Sequence, residues 1–229
     1  MTKSDLLPVL NVALRILTFR ASRVELLRLD HRHLAFGLFC TWVVGMGRSW
    51  DDTDASLLQH LGVGSVVYVF ALSFLLWATL NPLAPVKVSY PQVLAFVSLV
   101  APPALLYAIP VELFVPSRTA QTLNVLLLCV VASWRVALLV FYLTRGVQLR
   151  PAEIFVVTLF PLATILAPIT VFGLLNAIAS AMGGLREGQE LSEPATQALY
   201  LIGSIAILAW PPLAIANSVL IARRRHRSD

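Results

Sequence analysis

Long apolar runs separated by short polar ones fill most of this chain, and their lengths decide what kind of protein it is. The runs cover about residues 34–50, 61–81, 92–114, 123–143, 153–182 and 197–222. A hydrocarbon core about 30 Å thick takes roughly 20 apolar residues per helix, with about 17–25 tolerated. Each run is therefore read as one membrane-spanning helix. The first is the shortest and carries Arg48 near its end, and the fifth is long enough to tilt strongly or to run past the bilayer. The expected fold is all-α, a polytopic membrane bundle of about six transmembrane helices over residues 33–222. Its loops are short, so sequential helices are antiparallel neighbours.

Residues 1–32 read differently. Leu6, Leu10, Leu14 and Leu17 recur at helical spacing among Arg15, Arg20, Arg23 and Arg28. The pattern predicts an amphipathic helix over 5–29 lying in the cytoplasmic interface, with a soluble helix packed on the loops as the alternative. Crossing the bilayer would bury Arg15 and Arg20 at about 2.5–3.5 kcal/mol each. The same arginines interrupt the apolar run and no small-residue cleavage site follows, so a signal peptide is not expected. Residues 223–229 form a basic tail.

Composition supports the membrane class. The chain is 58% hydrophobic and 13% charged, whereas a soluble domain carries about 25% charged residues. Lipid must therefore cover most of the exterior. The net charge of +5 excludes nothing by itself, but the basic residues lie beside the spans, where they suit anionic headgroups rather than nucleic acid. The expected partners are the lipid bilayer and anionic lipid headgroups, with other membrane proteins or a homo-oligomer as further candidates; no cofactor is expected. Cys40 and Cys129 fall inside apolar runs and read as packing residues.

Orientation follows from the basic residues near the span ends. Lys3, Arg15, Arg20, Arg23, Arg28, Arg32, Lys87, Arg145, Arg150, Arg223, Arg224, Arg225 and Arg227 fall on one side, and only Arg48, Arg118 and Arg186 on the other. Both termini are therefore expected in the cytoplasm, in a multi-pass inner-membrane protein.

Three groups of residues are chemical candidates. Arg135 lies midway along the fourth run, where an ionisable side chain marks a polar intramembrane site. Pro102 and Pro103 remove amide donors from the third helix, so at α-helical pitch the carbonyls of Ser98 and Leu99 are expected to be free for Arg135. Tying two helices together and binding an anionic headgroup or substrate are both open to it. Pro211 and Pro212 occupy the sixth run, and paired breaks in inverted halves would point to a transporter core. At the outer face, Arg48, Asp51, Asp52, Asp54 and His60, with Glu112 on a later loop, bring together carboxylates and an imidazole competent to bind a metal. A solvated acidic loop explains the same residues, and no metal motif completes them.

The run Gly45 to Asp51, the stretch His60 to Tyr68 and the segment Trp134-Arg135-Val136-Ala137 resemble a group of functionally unassigned bacterial multispanning inner-membrane proteins. The layout is also similar to that of Yip1-domain membrane proteins. It departs from them in its span count, since that family usually has five, and in lacking their acidic-aromatic motifs. No functional residue comes with either resemblance. The expectation is a non-enzymatic integral membrane protein that organises lipids or partner membrane proteins. The alternatives are a small transporter or permease subunit with a site near Arg135, and a membrane enzyme with an outer-face Asp/His site.

Overall fold

In a computed structural model of the chain, which describes residues 3–47, 57–109, 111, 114–174 and 193–225, the elements are helical and enclose one helix at the centre. Among the described residues nine α-helices run in order: α1 (Lys3–Leu17), α2 (Arg23–Leu27), α3 (His31–Gly47), α4 (Leu57–His60), α5 (Val63–Leu80), α6 (Tyr90–Leu99), α7 (Ser117–Phe141), α8 (Pro151–Val171) and α9 (Glu193–Arg225). A 3-10 segment, Pro102–Ala108, continues the line of α6, and a π-helical turn, Tyr142–Val147, ends α7. Among the described residues, four helical stretches are long and apolar enough to cross a membrane: Val63–Leu80, Thr122–Val147, Pro151–Val171 and Tyr200–Arg225. Among the described residues the fold is all-helical, with helices suited by length and composition to a membrane.

The central helix is α6. Every residue from Val93 to Val100 is buried, which only a helix surrounded by others can achieve. Phe96 stacks on Tyr142 with ring centroids 4.2 Å apart. Around them Val69, Leu76 and Leu80 of α5, Leu138 of α7, Val157 of α8 and Ala13 and Ile16 of α1 form one contiguous core. Two glycines permit the closest approaches. A Cβ on Gly37 of α3 would lie 2.3 Å from Ser98 Oγ and 3.0 Å from Leu99 N, and one on Gly203 of α9 would lie 2.3 Å from Thr170 Oγ1 of α8. Backbones meet at small residues because no hydrophobic force draws helices together inside lipid; contact area does.

The N-terminal segment departs from the single helix expected over 5–29. It is a helical hairpin. Phe19 takes a left-handed conformation (φ 60°), and the amides of Arg20 and Ala21 donate to Arg15 O at 2.7 and 3.0 Å, closing α1. Then Ser22 starts α2 with a capping box: Glu25 N–H donates to Ser22 Oγ at 3.3 Å and Ser22 N–H donates to Glu25 Oε2 at 2.7 Å. The sequence signal, Ser22-x-x-Glu25, was available. The hairpin is drawn together by Arg15 and Glu25, 2.8 Å apart. Its α1 is apolar on both sides, with Val9, Ala13 and Ile16 inward and Leu7, Leu10 and Leu14 outward.

The diprolines act differently. Pro102 and Pro103 end α6 and tighten the chain into 3-10 pitch. Pro211 and Pro212 lie inside a continuous α9. The third and sixth runs are thus not corresponding breaks. Residues 175–192, where the fifth run was expected to end, lie outside the described residues.

Candidate functional site

Arg135 is half-buried on α7, and its guanidinium reaches the end of α6. Nε donates to Val100 O at 3.2 Å and an Nη to Ala101 O at 3.3 Å. These carbonyls lie beyond Ser98 and Leu99, the pair expected at α-helical pitch. The reason is the local tightening. Ala101 N–H donates to Ser98 O at 3.1 Å and Ala104 N–H to Ala101 O at 2.9 Å, each three residues back. At that pitch the residue that would serve Val100 O is Pro103, which has no amide hydrogen. Arg135 supplies the missing donor. Ser98 O is also reached from α3, by Thr41 Oγ1 at 3.4 Å.

One residue earlier, Trp134 Nε1 donates to Leu17 O at 3.1 Å. The α1–α2 hairpin therefore docks partway along α7, not at its end. Phe19 meets Phe141 edge-on, with centroids 5.7 Å apart. Further down, Arg23 donates to Gly146 O at 3.3 Å, at the π turn, and Gln92 Nε2 donates to Leu27 O at 2.7 Å. The backbone N–H of Ser22, donating to the carboxylate, holds Glu25 below the usual carboxylate range despite its partial burial. Exposed Arg20 and Arg28 flank this hairpin, with Lys87, Arg145, Arg150 and Arg223 exposed near the same end of the bundle.

A second polar tie at this basic end was not foreseen from the sequence. Glu153, buried at the start of α8, caps Arg150 N–H at 2.8 Å and faces Arg224 Nη1 of α9 at 3.4 Å. Arg224 also donates to Leu83 O in the turn after α5. The run Arg150-Pro151-Ala152-Glu153, with proline at the first helical position and glutamate at the third, carries the signal for a helix start; nothing in the sequence singles out Arg224 from Arg223 and Arg225.

The outer-face candidates are mostly out of view. Arg48, Asp51, Asp52, Asp54 and Glu112 lie outside the described residues. His60 ends α4, beside Gly62, whose α-carbon region packs on the end of α3: a Cβ on Gly45 would lie 2.8 Å from Gly62 O. Trp42 Nε1 donates to Leu61 O at 2.9 Å across the same junction. Among the described residues no three His, Cys, Asp or Glu side chains come together as a metal site. Between α3 and the 3-10 segment, Phe39, Cys40, Val43, Val44, Pro102 and Leu105 line an apolar groove of about 90 Å³ that offers no polar contact.

Comparison with known proteins finds no matching family model, curated protein or solved structure.

Proposed function

We propose that this chain is a non-enzymatic integral membrane protein that organises lipids, or partner proteins within the lipid, at the cytoplasmic leaflet of a bacterial inner membrane. The observation that supports this most is the α1–α2 hairpin. A helix that packs Val9, Ala13 and Ile16 against the bundle has no need of an apolar outer side, yet Leu7, Leu10 and Leu14 are 70%, 39% and 52% exposed. Pairing Arg15 with Glu25 keeps the first arginine of the hairpin away from that leucine face. Acyl chains suit the leucines, and anionic headgroups suit Arg20 and Arg28 beside them. In this reading α3 and the α6/3-10 line are the two remaining spans, giving six, with both termini in the cytoplasm. The layout similarity to Yip1-domain membrane proteins, and the resemblance to unassigned bacterial inner-membrane proteins, fit the same picture.

The protein purified from membranes should retain anionic phospholipid in excess over its share of the membrane, measured by native mass spectrometry after detergent exchange. Arg20→Glu with Arg28→Glu should abolish that excess. Retained lipid matching the bulk composition in both proteins would contradict the proposal. A small transporter or permease subunit is the second reading, favoured by Arg135 standing in the middle of a span with its donors on backbone carbonyls.

A further inference from the structure

We propose that, given the lipid-organising function on which this site rests, one anionic phospholipid is held at the basic end where α2, α5 and α6 meet. Its phosphate is taken by Arg28 and Lys87, and the start of its acyl chains by the rings of Phe74, Trp77 and Tyr90. The junction is built by Gln92, in the first turn of α6. Gln92 Oε1 accepts from Ser89 N–H at 2.9 Å and from the Ser89 hydroxyl at 3.1 Å, while Nε2 donates to Leu27 O at 2.7 Å. The chain leaving α2 and the chain entering α6 are thus held one side-chain amide apart. Arg28 follows Leu27 directly. Lys87 lies two residues before Ser89, and Val88 is buried between exposed Lys87 and exposed Ser89, so those two side chains leave the bundle on the same side. Across that gap the long side chains of Arg28 and Lys87 can close on one anion.

Neither cation has a carboxylate partner among the described residues. In this they differ from Arg15, Arg23 and Arg224, which bond to Glu25, to Gly146 O, and to Glu153 and Leu83 O within the protein. The two carboxylates of the segment around Arg28 are already engaged. Glu25 pairs with Arg15 and accepts from the Ser22 amide. Asp30 meets the His33 ring at 2.7 Å and accepts from the amides of Arg32 and His33. An anion arriving from outside is therefore the partner that Arg28 and Lys87 lack, and a phosphate group has the oxygens to accept from both.

The apolar half of the site is a wall of three rings that touch one another. Ring centroids lie 6.2 Å apart for Phe74 and Trp77, 6.3 Å for Phe74 and Tyr90, and 6.0 Å for Trp77 and Tyr90. Trp77 Nε1 donates to Val88 O at 3.1 Å, which fixes the wall beside Lys87. Phe74 and Trp77 lie six and three residues before the end of α5 at Leu80. At 1.5 Å per residue that is about 5–9 Å from the helix end, the depth at which acyl chains meet headgroups. Tryptophan and tyrosine at a membrane interface ordinarily turn their polar tips to the wet side. Here both tips are spent on backbone, Trp77 on Val88 O and the Tyr90 hydroxyl on Phe70 O at 3.3 Å. The wall offers ring surface alone, with Phe74 55% exposed, and the polar part of the ligand falls to the two cations. Charge at one edge and apolar surface at the other fit a phospholipid; a free anion has no use for the rings.

Native mass spectrometry of the purified full chain, titrated with phosphatidylglycerol or with phosphatidylcholine of identical chains, reads the affinity for the first bound lipid. The parent protein should prefer phosphatidylglycerol. Arg28→Ala and Lys87→Ala should each reduce that preference about fivefold, the effect of one basic residue at an anionic surface. Phe74→Ala should weaken both lipids and keep the preference. Arg223→Ala, at the same end of the bundle, should change nothing, and excess inorganic phosphate should not displace the lipid. All four substituted side chains are exposed, so each variant should melt with the parent. Displacement by phosphate alone, a Phe74→Ala variant that binds both lipids as the parent does, or a preference lowered as much by Arg223→Ala as by Lys87→Ala overturns the site. A preference that survives Arg28→Ala and Lys87→Ala but is lost in Arg20→Glu also overturns it and leaves the hairpin's part in lipid organisation standing; no preference in the parent overturns both.

Discussion

Arg135→Glu should fail to give a monodisperse protein in detergent, or should melt more than about 10 °C below the parent, while Arg135→Leu should stay within about 5 °C of it. Arg135 meets the carbonyls of Val100 and Ala101. A glutamate there would place a negative charge against two acceptors, and an unpaired buried charge costs about 3–5 kcal/mol. Leucine has two smaller and opposed effects. Ala101 O keeps the amide of Ala104, so Val100 O bears the main loss, about 1–3 kcal/mol for a buried acceptor left without that donor. Against this, leucine removes a guanidinium that costs about 2.5–3.5 kcal/mol to insert at mid-helix. The measurement is size-exclusion profile and melting temperature of both variants side by side. Equal behaviour of the two would show that the carbonyl contacts do not govern this position.

Gly37→Ala and Gly64→Ala should move stability in opposite directions. Both glycines are helical, and alanine in a helix interior is favoured over glycine by roughly 0.5–1 kcal/mol. At Gly64, in the first turn of α5, an added Cβ meets nothing within 4 Å, so the propensity gain should appear undiminished as a Tm rise of about 1–4 °C. At Gly37 the same Cβ would stand 2.3 Å from Ser98 Oγ, with Leu99 N and Ser98 C at 3.0 Å. The hydroxyl can rotate away, but the backbone of α6 cannot yield without moving a helix buried from Val93 to Val100. Overpacking of this kind costs about 1–3 kcal/mol, enough to lower Tm by several degrees. Thr41, one turn along α3, would lose its reach to Ser98 O as the helices part. Thermal unfolding followed by circular dichroism reads both changes.

Spans were legible in the sequence where hydropathy alone sets them. The runs at 61–81 and 123–143 meet α5 and α7, because a helix in lipid needs only length and apolarity to form. Boundaries set by backbone chemistry were less legible. The third run reads as apolar through residue 114, and the pair Pro102-Pro103 marks a break there, yet not its 3-10 pitch, which decides which carbonyls Arg135 serves. In the N-terminal segment, leucine periodicity masked the stop at Leu17, although Ser22 and Glu25 announced a second helix start. The π turn at Tyr142 has no pattern to read. For Glu153 the sequence offers only a helix-start signal, and the pairing with Arg224 needs α9 packed against α8.

The central claim is a six-span bundle whose basic end faces the cytoplasm. Alkaline phosphatase and green fluorescent protein fusions at residue 229 and within residues 51–58 test it most directly. A fluorescent, phosphatase-inactive fusion at 229 together with a phosphatase-active, dark fusion at 51–58 is the predicted result; the same pattern from both positions would place the first span and the chain end on one side and contradict the account.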